Sequence, residues 1–134
     1  MVNQKPNIPD LNGKTILVAE DEEINFLFIE TLLEPTGARV MHAWNGQQTI
    51  DAIKENKNID LILMDIKMPI VDGYQATRDI KKMKPGLPII SQTAYALSDD
   101  KILSFESGWH DYINKKKKKN KLYSLLNKHF SNNH

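Results

Sequence analysis

The sequence predicts an α/β protein built on a parallel sheet with helices on both faces. Three observations carry this. Short apolar runs alternate with longer stretches of helical period, Pro and Gly punctuate the ends of those stretches, and one run, Leu61-Ile62-Leu63-Met64, is apolar at every position. A strand with one face in water alternates apolar and polar residues, so an unbroken apolar run belongs to a strand buried on both faces.

In chain order, the first strand is read at Ile16-Leu17-Val18-Ala19. Ile24, Leu27, Phe28 and Leu32 then form an apolar stripe on a helix that Pro35 and Gly37 end. A strand at Arg39–Ala43 is followed by a helix over Gly46–Asn56, with Ile50 and Ile53 at helical spacing. After the run at Leu61–Met64, a helix over Asp72–Lys84 carries Tyr74, Ile80 and Met83 and stops at Pro85-Gly86. A fourth strand is read at Pro88–Gln92. Ser98 is the expected N-cap of the next helix, with Asp99 and Asp100 in its first turn, and Gly108 closes it. A fifth strand at Asp111–Asn114 precedes a last helix from about Asn120 to Phe130, with Leu122, Leu125, Leu126 and Phe130 on one side. Alternating strands and helices imply right-handed crossovers in a parallel sheet. The periodicity leaves the strand order open, and it shows no internal repeat and no boundary after Lys14.

The bulk composition narrows the function. With 134 residues, 40% hydrophobic and 26% charged, the chain has the balance of one globular domain. Its 18 basic and 17 acidic residues leave a net charge of +1, which argues against a dedicated nucleic-acid binder. The absence of cysteine excludes disulfides, thiolate metal sites and cysteine nucleophiles. No apolar run approaches the roughly 20 residues of a membrane helix. Residues 1–13, polar and with Pro6 and Pro9, read as a leader or the end of a linker.

In a parallel α/β sheet, ligands bind beyond the carboxyl ends of the strands. Glu20, Asp21, Glu22 and Glu23 follow the first strand, Asp65 follows Met64, Thr93 follows Gln92, and Lys115 follows Asn114. Crowded carboxylates repel one another and attract a hard divalent cation such as Mg²⁺. A carboxylate can act as a nucleophile and carry an aspartyl phosphate, while a lysine and a hydroxyl stabilise phosphoryl oxygens. Singly, each residue has a plainer role: Asp21 and Glu22 as first-turn acids, Thr93 as a strand-end cap, Lys115 as one solvated lysine among five. Together they point to metal-assisted phosphoryl transfer onto Asp65.

These segments resemble the receiver domain of bacterial response regulators, over roughly Lys14 to Phe130. Ile16-Leu17-Val18-Ala19-Glu20-Asp21-Glu22 resembles the family's first strand and acidic pair. Asp60 through Pro69, followed by Asp72-Gly73, resembles its phosphorylation segment. Thr93-Ala94-Tyr95-Ala96 resembles the segment with the switch hydroxyl, and Gly108 through Lys115 the one ending in the family's lysine. The resemblance implies a flavodoxin-like, doubly wound sheet in the order 2-1-3-4-5, with residues 14–131 as the receiver domain and 132–134 as a tail.

It also implies that Asp65 is the phosphoacceptor. Glu20, Asp21 and Asp65 would hold Mg²⁺ (or Mn²⁺), Asp21 directly and Glu20 through water, with the backbone carbonyl of Lys67 as a further ligand. Thr93 would bond the phosphoryl group, Lys115 would pair with it, and Tyr112 would turn inward as Thr93 moves. The donor would be a histidine kinase or phosphotransfer domain. The surface formed by the predicted helix ending at Gly108, the strand at Asp111–Asn114 and the last helix would bind a second copy or a downstream partner. A phosphoryl group adds a charge of roughly −1.5 to −2, which biases the switch only through its different contacts in the two states.

Some positions depart from the family pattern. Lys116 stands where the family usually has a proline, often preceded by a cis peptide, and Lys117 where an apolar residue is common. Since a non-proline cis bond costs about 3 kcal/mol, a trans or rearranged loop is expected there. Trp109 and His110 replace a small residue and an acid or asparagine. The run Lys115–Lys119 reads as a solvated face before a docking patch for an acidic partner, and as a nucleic-acid contact last. His42, His129 and His134 need no function.

The resulting expectation is a cytoplasmic phosphorelay receiver, not an enzyme acting on an external substrate, standing alone or belonging to a hybrid sensor kinase. One alternative is a degenerate receiver that only binds a partner. The other, a Mg²⁺-dependent phosphohydrolase, is disfavoured by Lys67, where haloacid-dehalogenase-like enzymes carry a second acid.

Overall fold

A computed structural model of the chain describes residues 8–65, 72–93, 111–114 and 118–131; for 92–93, 111–114, 118–121 and 131 it describes the backbone. Five strands form one sheet: β1 (Thr15–Ala19), β2 (Arg39–Ala43), β3 (Leu61–Asp65), β4 (Ile89–Thr93) and β5 (Asp111–Asn114). The described helices are α1 (Glu23–Leu33), α2 (Gly46–Glu55), α3 (Gly73–Met83) and α4 (Lys118–Ser131). The predicted helix from Ser98 to Gly108, with Trp109 and His110, lies outside the described residues, as does the loop from Lys115 to Lys117.

The strand order is β2-β1-β3-β4-β5 and every pairing is parallel. The order expected from the family resemblance therefore holds. β1 lies between β2 and β3, so the chain runs to one edge and then returns across β1. At such a reversal, the crossovers before and after it diverge to opposite faces and open a crevice at the carboxyl ends of β1 and β3.

Strand side chains alternate between faces, and the core divides accordingly. Leu17, Ala19, Ile62, Met64 and Ile89 face α2 and α3, where Ile50, Ile53, Ala76 and Ile80 meet them. Ile16, Val18, Leu61, Leu63 and Ile90 face the other layer, meeting Ile29, Leu32 and Leu33 of α1 and Leu122, Leu125 and Leu126 of α4. Leu11, in the stretch ahead of β1, joins this second cluster. Each fully buried Leu, Ile, Val or Met among them contributes about 1.5–3 kcal/mol of transfer free energy.

The local punctuation is physical. Asn45 and Asp72 cap α2 and α3 by accepting from the amides of Gln48 at 2.7 Å and Gln75 at 2.9 Å. α1 runs out through a 3-10 turn (Glu34–Thr36) to Gly37 at φ 81°, a left-handed backbone that favours glycine, and a Cβ there would also displace the Asn12 side chain.

α1 corrects one expectation. Of the stripe Ile24, Leu27, Phe28 and Leu32, only Leu32 is buried; Ile24 is 82% exposed, and Leu27 and Phe28 are about half exposed. The helix instead buries Ile29, Leu32 and Leu33. Met83, expected with Tyr74 and Ile80 on α3, is also exposed. On α1 the cause is that apolar residues surround almost the whole helix, so spacing alone selects no face.

Candidate functional site

The carboxyl ends of β1 and β3 carry the acids. Ala19 pairs with Met64, which sets the next residues, Glu20 and Asp65, abreast at the end of two hydrogen-bonded strands. Adjacent strands lie about 4.8 Å apart. One carboxylate oxygen from each of Glu20, Asp21 and Asp65 lies within 4.8 Å of the other two. Glu20 is fully buried and Asp65 nearly so, whereas Asp21 is the least buried of the three. Three carboxylates this close, two of them withdrawn from water, favour a bound cation.

The backbone around Glu20 is held in place. Its N–H donates to the carbonyl of Ala43 at 3.0 Å, extending the β1–β2 ladder by one residue. One Glu20 carboxylate oxygen, Oε2, accepts from the Glu22 amide at 3.3 Å, tying the side chain to the turn into α1. α1 begins with no side-chain cap from Glu22, so the positive end of its dipole faces this turn.

The other sequence-predicted residues are placed as follows. Thr93 ends β4, one residue beyond Gln92, which pairs with Asp65. Thr93 itself pairs with Asn114, the residue before Lys115, and Tyr112 pairs with Ser91. The register thus lines the ends of β1, β3, β4 and β5 along one edge of the sheet. Lys67 and Lys115 lie outside the described residues. Asp60 belongs to the opposite end of β3, where its carboxylate accepts from the Thr15 amide at 2.8 Å and fastens the start of β1.

One residue at the site carried no signal in the sequence. His42, on the edge strand β2, places Nε2 2.9 Å from the Glu20 carbonyl. Its ring stacks on Phe26 with centroids 3.7 Å apart and planes 2° apart, and meets Trp44 with centroids 4.1 Å apart and planes tilted by 36°. Nothing in the spacing of residues 20 and 42 reveals this, because it depends on β2 lying beside β1.

A family model of the response regulator receiver domain matches residues 16–127. The chain belongs to this family. Among curated relatives, this receiver domain is 42% identical over 120 residues to a hybrid signal transduction histidine kinase of Dictyostelium discoideum, across 84% of this chain and 7% of that one. It is 37% identical over 105 residues to the sensor histidine kinase GacS of Pseudomonas protegens, across 75% of this chain and 11% of that one. The receiver domain thus spans about a tenth or less of the length of these relatives. Among solved structures, it is similar to the receiver domain of a sensor histidine kinase from Pseudomonas aeruginosa, described with a magnesium ion coordinated in its active site cleft. There the TM-score is 0.79 at 35% identity, over 86% of this chain and 95% of that one. The receiver domain is therefore a module of two-component signalling and phosphorelay, homologous to receivers of hybrid kinases. Among its described residues, no helix is long and apolar enough to cross a membrane.

Proposed function

We infer that Asp65 accepts a phosphoryl group from a phosphohistidine on a histidine kinase or phosphotransfer domain. The observation that carries this reading is the convergence of Glu20, Asp21 and Asp65 at the end of a buried strand pair. Their oxygens suit a hard cation, and Mg²⁺ takes such ligands while keeping some of its water. Glu20, Asp21 and Asp65 would hold it, with the Lys67 carbonyl as a further ligand. Bound there, the ion would neutralise charge that builds on the phosphoryl oxygens.

In the transfer, an Asp65 carboxylate oxygen forms the new P–O bond as the N–P bond of the donor breaks, and the imidazole leaves with the bonding pair. Asp65 is buried at the end of a central strand paired on both sides, which orients its carboxylate for the transfer. Thr93, the last residue of β4, and Lys115, which follows β5 in the sequence, are assigned to the phosphoryl oxygens, and Tyr112 to the switch that follows. The altered surface would be that of β5, α4 and the segment before β5, open to a second copy or a downstream partner. A parent hybrid kinase, acting in the cytoplasm, fits the relatives that carry the same module.

The test is incorporation of phosphate from acetyl phosphate with Mg²⁺. The wild-type chain is expected to label and Asp65→Asn to remain at background. Equal labelling of the variant would overturn the assignment.

A further inference from the structure

Glu20 is gripped from the edge strand at both of its main-chain polar groups. Its N–H donates to the carbonyl of Ala43, and its carbonyl lies 2.9 Å from Nε2 of the adjacent His42. A carbonyl only accepts, so Nε2 carries the proton and donates. The imidazole is in turn fixed by its neighbours. Phe26 of α1 stacks flat against it, and Trp44, whose amide donates to Gln48 Oε1 at 2.8 Å, leans on it. The ring therefore ties together the end of β1, the first turns of α1 and the end of β2.

We propose that His42 is a positioning residue for the divalent-cation site, holding the Glu20 peptide so that the Glu20 and Asp21 carboxylates stand ready beside Asp65. The inference rests on the metal-binding reading above. Physically, the peptide that joins Glu20 to Asp21 contains the carbonyl His42 holds. Freeing that carbonyl lets the peptide plane rotate, and rotation moves the Asp21 side chain, the most open of the three ligand candidates. A site whose ligands must first be ordered binds more weakly than one already arranged. Groups that orient metal ligands without touching the metal commonly change its affinity on substitution.

Two substitutions separate the donor from the ring. His42→Phe keeps an aromatic ring against Phe26 and Trp44, and keeps strand propensity, but has no N–H. His42→Gln supplies an N–H donor without the ring. The readouts on the whole chain are amide hydrogen exchange over Glu20–Glu22 without metal, and Mg²⁺ affinity by calorimetry. His42→Phe is expected to speed exchange there and to weaken Mg²⁺ binding roughly three- to tenfold, with a melting temperature close to wild type. His42→Gln is expected to recover part of the affinity despite a lower melting temperature. A purely structural ring would give the opposite order, with Phe restoring and Gln failing, and that result would overturn the proposal. So would unchanged exchange and affinity in His42→Phe. A wild-type chain that bound no Mg²⁺ would overturn the functional reading itself, while exchange at Glu20–Glu22 would still decide whether His42 holds this peptide.

Discussion

β3 and β2 both serve the same carboxyl edge, but by different physics. β3 is central, buried at all five positions, and delivers Asp65 directly from its last residue. β2 is the outer strand, exposed at Arg39, half-buried from Val40 to His42 and buried at Ala43, and delivers no proposed ligand; it supports Glu20 through one backbone bond and one imidazole. A central strand is held by neighbours on both sides and by helices on both faces. It can therefore keep a charged group in place at a buried end. An edge strand has room for partly exposed side chains, and at this site one of them braces the strand beside it. The difference separates chemistry from its support.

The comparison can be broken most decisively at Asp65. Asp65→Asn is expected to abolish labelling by acetyl phosphate while the fold survives, measured as phosphate incorporation alongside circular dichroism. Next in size, Leu63→Ala in β3 should cost about 2–5 kcal/mol in urea unfolding, because it leaves a cavity between α1, α4 and the sheet. Val40→Ala in β2, half-buried at the edge, should cost only about 1 kcal/mol in the same measurement. Equal losses would remove the distinction between the strands. Tyr123→Phe deletes the 2.7 Å bond from its hydroxyl to the Leu32 carbonyl, which ties α4 to α1, and should cost about 1 kcal/mol of stability. Burial also raises the pKa of that hydroxyl, so it remains a donor throughout the neutral range. Smallest of all, Ile24→Ser on the outer face of α1 should change stability by no more than about 0.5 kcal/mol, since Ile24 is already 82% exposed.

How far the sequence could be read follows the same division. The apolar run at Leu61–Met64 announced a strand buried on both faces, and the charge straight after it announced a special position. Both follow from local pattern, and β3 has that pattern in three dimensions. The two acids of segment 60–69 serve the two ends of β3 differently: Asp60 fastens the start of β1, and Asp65 joins Glu20 and Asp21. α1 was the reverse case. Its stripe of Ile24, Leu27, Phe28 and Leu32 has good helical spacing, yet the helix turns a different set inward. A helix with apolar residues on nearly every side carries little directional signal, and here Phe26 of that helix stacks on His42 of the neighbouring strand.

By itself, then, the sequence determined the alternation of elements, the two-sided burial of β3, and the set of acids that falls at strand ends, because side-chain periodicity is a property of neighbours along the chain. Family resemblance supplied the strand order that periodicity left open. Tertiary packing alone set which face α1 buries and brought His42 to the peptide of an acid 22 residues earlier. Those facts depend on which strands lie side by side and in what register. Such long-range pairing is stabilised by the whole core, and no short stretch of sequence records it.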